Sequence, residues 1–228
     1  MTPLHPDSSW LDAALLRALA QRSDSALREL APEVAPRVHR LRLLDPERAH
    51  ALDALLCAAS AEEHEPPNNM HEYGRVLRGE PYDALFAALT QDVLRPLGGA
   101  LFPDFAGAEL DRQHAFTVEY GLRADRDLSL HVDDSELTLN LCLAREGGGY
   151  PLAFHGLRCP AHRDTPERAE ETHWIDHEPG VALLHAGAHR HSVPSSREGA
   201  RRGLIVWCHA PGRPALAEGA CPPWCGAS

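Results

Sequence analysis

The chain predicts an α+β fold, with helices gathered near the N-terminus and short strands beyond them arranged as a sandwich or jelly roll. Three observations carry this expectation. Apolar residues recur at helical spacing up to about residue 63. From about His114 the pattern changes to β-branched and aromatic residues in quick alternation. The short apolar runs that follow are separated by Gly and Pro turns, as in all-β sandwiches and jelly rolls.

The elements follow in order. Ser8 or Ser9 can cap a helix bearing Leu11, Leu15, Leu16 and Leu19 on one stripe. Pro32 and Pro36 break or kink whatever begins at Ser25. Asp45-Pro46-Glu47 is a stronger start signal: an N-cap Asp, a first-turn Pro and an acid at the positive helix end. Ala49, Leu52, Leu55, Leu56 and Ala59 then face inward. Residues 63–69 form a polar, proline-bearing connector, though not a linker between independent domains. The expected division is therefore an N-terminal helical support region at 1–66 and a strand-rich domain at 67–228. Glu80-Pro81-Tyr82-Asp83 opens one more amphipathic helix, with Leu85, Phe86, Leu89 and Val93 inward, ending near Gly98-Gly99. Strands are expected over 115–120, 137–143, 152–154, 181–185, 190–193 and 204–209.

Composition narrows the function classes. A chain of 228 residues can bury one substantial core. Its 22 basic and 33 acidic residues give a net charge of −11, and every basic residue is arginine. This argues against binding nucleic acid through the bulk surface, because phosphate affinity rests on excess positive charge. No apolar run approaches the roughly 20 residues needed to cross a bilayer. The start, Met1-Thr2-Pro3-Leu4-His5-Pro6-Asp7, lacks a basic and then apolar signal pattern. A cytoplasmic protein is expected, with its six cysteines as reduced thiols or metal ligands.

Candidate chemistry centres on His131-Val132-Asp133-Asp134-Ser135-Glu136-Leu137, read as the start of a strand. On a strand, residues i and i+2 share a face, so His131 and Asp133 can aim at one point while Asp134 turns away. A histidine and a carboxylate so placed are two-thirds of a 2-His-1-carboxylate iron site. The third ligand is sought in His185-Ala186-Gly187-Ala188-His189-Arg190-His191-Ser192. His191 is favoured over His189 by its spacing to a basic residue ten positions on, Arg201. Arginine suits a carboxylate partner because its planar fork binds bidentately. Arg201 is preferred to its neighbour Arg202, and Trp207 is assigned to the core. A second cluster, Cys159, His162, Cys221 and Cys225, offers the ligand types of a structural zinc site. The C-x-x-x-C spacing is not distinctive, so free thiols are the preferred reading there. Residues 72–79 and 155–174 are candidate lids.

These stretches together carry a family resemblance. The residues are 67–74, 116–120, His131 through Leu143, Gly148 through Cys159, and 179–208 with its His-Arg-His and Gly-Ala-Arg-Arg segments. The chain resembles the iron(II)- and 2-oxoglutarate-dependent oxygenases of the prolyl-4-hydroxylase-like branch, in the subgroup of 2-oxoglutarate- and iron-dependent oxygenase domain-containing proteins. The resemblance implies a double-stranded β-helix (jelly-roll, cupin-like) core. It implies that His131, Asp133 and His191 bind Fe(II), that Arg201 holds the distal carboxylate of 2-oxoglutarate, and that Tyr120 and Asn140 line the cosubstrate pocket. The implied reaction is hydroxylation of a small-molecule or protein substrate by a dioxygenase, consuming O2 and releasing succinate and CO2, with ascorbate as an accessory reductant. Two departures stand out: Ser192 follows the distal histidine where glycine is common, and Gly203 replaces a common asparagine. Two rival readings are a non-catalytic metal- or 2-oxoglutarate-binding sensor and a cupin-like metalloenzyme that works without 2-oxoglutarate. The arginine at the clamp position argues against the second.

Overall fold

Alternation along the strands sorts the side chains into two cores, one on each face of a large sheet. The computed structural model describes residues 10–58, 70–211 and 221–227. Its elements are α1 (Ala13–Ala20), α2 (Asp24–Leu30), β1 (Glu33–Ala35), β2 (Val38–Arg42), α3 (Pro46–Ala58) and β3 (Gly74–Leu77). Then follow α4 (Tyr82–Leu89), which runs through a π-helical turn into α5 (Arg95–Leu101), and the strands β4 (Arg112–Gly121) and β5 (Leu128–His131). The remainder is β6 (Leu137–Glu146), β7 (Leu152–Leu157), β8 (Thr172–Ile175), β9 (Val181–Ala186), β10 (His189–Val193) and β11 (Ala200–His209).

Seven strands form one antiparallel sheet in the order β1-β2-β9-β6-β11-β4-β3. Four form a second, in the order β5-β10-β7-β8. The inner faces meet around Phe116, Val118, Leu128, Leu152, Phe154, Leu183, Val193 and Ile205. The outer face of the large sheet, with Leu137, Leu139, Leu141, Leu143, Leu184, Leu204 and Val206, is covered by the helices. This is the jelly-roll core with a helical layer that the sequence predicts. Strand β6 shows the logic most plainly: its odd-numbered leucines face helices, while Thr138, Asn140 and Cys142 face inward.

Several expectations change. The first helix is capped by Asp12, whose Oδ1 accepts from the amides of Ala14 and Leu15 at 2.8 and 3.1 Å. Ser8 and Ser9, Ala59 and the 63–69 connector lie outside the described residues. Residues 33–42, expected as broken helix, form a β-hairpin whose second strand pairs with β9, Val38 opposite His185. Pro32 cannot donate the helical hydrogen bond, and the exposed β9 edge takes the freed segment as a strand. The 1–66 region is therefore not helical throughout: it contributes two strands to the large sheet. His131 does not open a strand, either. It closes β5, and β6 begins only at Leu137, in the other sheet. The proposed lids are strand only in part: β3 occupies 74–77, while β7 and β8 take just the ends of 155–174 and leave 158–171 as turns and one short 3-10 helix.

Candidate metal centre

His131 and His191 are cross-strand partners, directly opposite on β5 and β10, with ring centroids 4.1 Å apart. Asp133 comes from residues 132–136, which carry the chain from the small sheet to the large one. Its amide donates to Gly187 O at 3.0 Å, and the Thr138 hydroxyl donates to its Oδ2 at 2.6 Å. So held, Asp133 Oδ1 lies 3.4 Å from His131 Nε2 and 3.7 Å from His191 Nε2. One ligand atom from each of the three lies within 4.8 Å of the others. Sequence alternation aimed His131 and Asp133 at one point through strand geometry; in the structure they do lie together, but an anchored loop places Asp133 there. The same geometry leaves Asp134 exposed on the cavity lining, not turned to the opposite face.

The tautomers follow from the partners. His131 Nδ1 faces Ser129 O at 2.9 Å and His191 Nδ1 faces His189 O at 3.0 Å. A carbonyl oxygen only accepts, so each Nδ1 carries the proton and each Nε2 presents a lone pair toward Asp133. Backbone carbonyls fixing metal-ligating imidazoles in this way are a common feature of metal sites. Burial holds His191 and His185 below the ordinary histidine range. Burial alone would raise the Asp133 carboxyl, but positive charge on His191, His131 and His185, whenever these imidazoles are protonated, outweighs that and holds it well below the usual carboxylate range. A buried carboxylate beside two outward lone pairs is stabilised by a cation, and its N and O donors suit Fe(II).

A cavity of about 190 Å³ opens on this group. Its walls include Phe116, Val118, Leu128, Leu152, Val193 and Ile205, with Tyr120, Asn140, His71 and Trp207 as polar members. Arg201 sits behind Tyr120, its guanidinium carbon 4.8 Å from the ring centroid. Its Nη1 donates to His177 Nδ1 at 3.1 Å, while His177 Nε2 donates to Val181 O. Arg201 is only 2% exposed, its Nε has no partner, and among the described residues no carboxylate lies within ion-pairing distance. Burial lowers its pKa. A buried guanidinium without an anion is a costly arrangement that a ligand carboxylate relieves. Arg202, one residue on, faces the opposite side of β11 and pairs with Asp53 of α3 through Nε at 2.7 Å and through Nη2. Strand alternation thus separates the two arginines.

The structure brings together His131, Asp133 and His191, and it groups Tyr120, Asn140 and Arg201 on the inner face of the large sheet. His189 is occupied elsewhere, facing Pro36 O at 3.0 Å and Arg190 O at 3.2 Å. Trp207 packs against the inner core, edge-on to Phe116, and also lines the cavity, with Nε1 unpartnered; Asn140 Oδ1 is likewise buried without a partner. Four contributors went unread in the sequence. His71 contacts the Tyr120 hydroxyl at 3.0 Å, and Thr138 orients Asp133. His177 supports Arg201, and His185 Nε2 lies 3.8 Å from Asp133 Oδ2. His71, Thr138 and His185 lay in runs already of interest but without these roles; nothing local marks His177.

No family model matches the chain. Among curated proteins it is 36% identical over 203 residues to 2-oxoglutarate and iron-dependent oxygenase domain-containing protein CP2 of Arabidopsis thaliana, covering 86% of this chain and 52% of that one. It is 31% identical over 222 residues to 2-oxoglutarate and iron-dependent oxygenase domain-containing protein 2 of Xenopus tropicalis, covering 91% and 62%. Over these spans the chain is similar to the oxygenase-domain proteins of this group. It spans about half the length of the curated relatives it matches. Solved structures share the fold of this oxygenase domain. A Pseudomonas putida prolyl-4-hydroxylase superposes with a TM-score of 0.58 at 16% identity, covering 83% of this chain and 99% of that one. EvdO2 of Micromonospora carbonacea var. aurantiaca, solved in complex with 2-oxoglutarate, gives 0.51 at 12% identity, covering 89% and 95%.

Proposed function

We propose that this oxygenase domain is a dioxygenase that hydroxylates its substrate while converting 2-oxoglutarate to succinate and CO2. The observation that carries the reading is one cavity with a 2-His-1-carboxylate group at its wall and a buried, anion-deficient arginine behind it. His131, Asp133 and His191 would hold Fe(II), which when bound supplies the redox centre for O2 and the keto-acid. Arg201 would meet the far carboxylate of 2-oxoglutarate, and its charge persists at neutral pH. Burial raises the Tyr120 hydroxyl, so it stays protonated as a neutral donor beside that carboxylate. The apolar walls exclude water from the site, and Asn140 Oδ1 and Trp207 Nε1 offer unused hydrogen-bonding groups to an occupant. Ascorbate fits as an accessory reductant of such iron.

For the substrate we propose a small molecule or a protein side chain; the net charge of −11 disfavours nucleic acid. Among the described residues no helix is long and apolar enough to cross a membrane. Together with six cysteines outside any disulfide, this supports a cytoplasmic location.

The test is anaerobic loading with Fe(II) and 2-oxoglutarate, followed by oxygen and a succinate assay. A weak visible charge-transfer band is expected, followed by succinate formation, and both should vanish in His131→Ala and Asp133→Ala. Neither band nor succinate under any loading condition would end the reading. A band without turnover, across candidate substrates, would favour the sensor role.

A further inference from the structure

We propose that Cys159, His162, Cys221 and Cys225 form a structural zinc site that fastens the C-terminal segment to the loop between β7 and β8. The four come from two turns 59 residues apart in sequence at their nearest members, His162 and Cys221. Cys159-Pro160-Ala161-His162 leaves β7, and its turn is closed by the His162 amide on Cys159 O at 2.9 Å. Cys221-Pro222-Pro223-Trp224-Cys225 folds likewise, the Cys225 amide bonding to Pro222 O at 2.9 Å.

Distances decide between a chance grouping and a site. The Sγ atoms of Cys159, Cys221 and Cys225 lie 3.2, 3.7 and 3.7 Å from His162 Nδ1. Tetrahedral zinc with ordinary Zn–S and Zn–N bonds would set its sulfur and nitrogen ligands about 3.6 Å apart. The three values bracket that figure. All four ligand atoms lie within 4.8 Å of one another, and no disulfide joins any of the cysteines. A disulfide would use two sulfurs and strand the third thiol and the imidazole, whereas one zinc uses all four. The Cys159 amide also points at Cys225 Sγ, at 3.4 Å, a contact that favours a metal-bound thiolate. Zinc would displace the thiol protons on binding, and Cys221, the exposed member, gives the ion a way in.

The site has something to hold. Residues 221–227 contain no helix or strand. They attach through the Gly226 amide on Leu157 O at 3.1 Å, through Arg168 Nη1 on Gly226 O at 3.3 Å, and through Trp224 against Phe105. The loop they fasten touches β10, the strand of His191, through Arg190 Nη1, which donates to Thr165 O; within the loop, Arg158 Nε donates to Thr165 Oγ1. The site shares no residue with the proposed iron centre, so it does not rest on the oxygenase reading.

The experiment uses the full chain purified in reducing buffer without chelator, with metal measured by elemental analysis. The expected result is one zinc per chain, retained in a His131→Ala/Asp133→Ala double variant and lost in Cys221→Ser/Cys225→Ser. Because Cys225 is buried, Cys221→Ser alone provides a second reading. After exchange of the metal for Co(II), the native chain should show strong visible and near-ultraviolet thiolate bands, weakened and shifted in Cys221→Ser. Absence of zinc from the folded, reduced chain would overturn the proposal. So would a native disulfide between these cysteines, or zinc that leaves with His131 and Asp133.

Discussion

Thr138 donates its hydroxyl to Asp133 Oδ2 and accepts in turn from Ser135 Oγ at 2.8 Å, so the carboxylate's orientation depends on a residue that touches no metal. Thr138→Val keeps the shape and removes the donor. It should weaken Fe(II) binding roughly 10- to 100-fold while the chain stays folded; an anaerobic metal titration checks this. The two arginines make a paired test. Arg201→Ala should weaken 2-oxoglutarate binding by about 1.5–3 kcal/mol, the usual worth of hydrogen bonds to a charged group. Arg202→Ala should leave that binding unchanged, because its partner is Asp53 on the helical side. Calorimetric titration of both variants separates them, and an unchanged affinity in Arg201→Ala would move the clamp assignment elsewhere.

At the scale of elements, β6 is the strand that joins both halves of the molecule. Leu141 faces the helices and is about 1% exposed, while its neighbour Asn140 faces the cavity. Leu141→Ala should cost about 2–5 kcal/mol of stability, seen as a lowered Tm, with metal stoichiometry unchanged in the folded fraction. The β9–β10 turn gives the reverse case. A Cβ at Gly187 would fall 2.0 Å from Ser135 O, a backbone atom, so residues 132–136 must shift to admit it. Gly187 O also accepts the Asp133 amide. Gly187→Ala should therefore lower Fe(II) affinity without changing a ligand, measured against the wild-type chain in the same titration. Equal affinity would show that the loop repositions freely.

At the scale of the whole molecule, the N-terminal region is part of the sheet that carries the site. β2 covers the edge of β9, and α1 to α3 join the core on the outer face of the large sheet. Removing residues 1–66 should expose that face and an unpaired strand edge. The shortened chain is expected to aggregate or to unfold without a cooperative transition, followed by circular dichroism and light scattering. A soluble, cooperative 67–228 fragment would show the boundary to be a true division.

Residue pattern alone determined the class of fold, because a period of two and a helical period each bury one face whatever lies opposite. It also offered a candidate donor set, His131, Asp133 and a histidine from 185–191, with the family resemblance and not spacing alone pointing to His191 and Arg201. The hairpin at 33–42 was illegible, because its strand character comes from the β9 edge and not from its own residues. The reach of Asp133 was misread as strand geometry, because only the crossing between sheets shows it to be a loop anchored on Gly187 and Thr138. His177 behind Arg201, His71 against Tyr120 and the meeting of Cys159 and His162 with Cys221 and Cys225 are long-range contacts. Nothing in sequence spacing encodes them; the packing of the two sheets and the tail decides them.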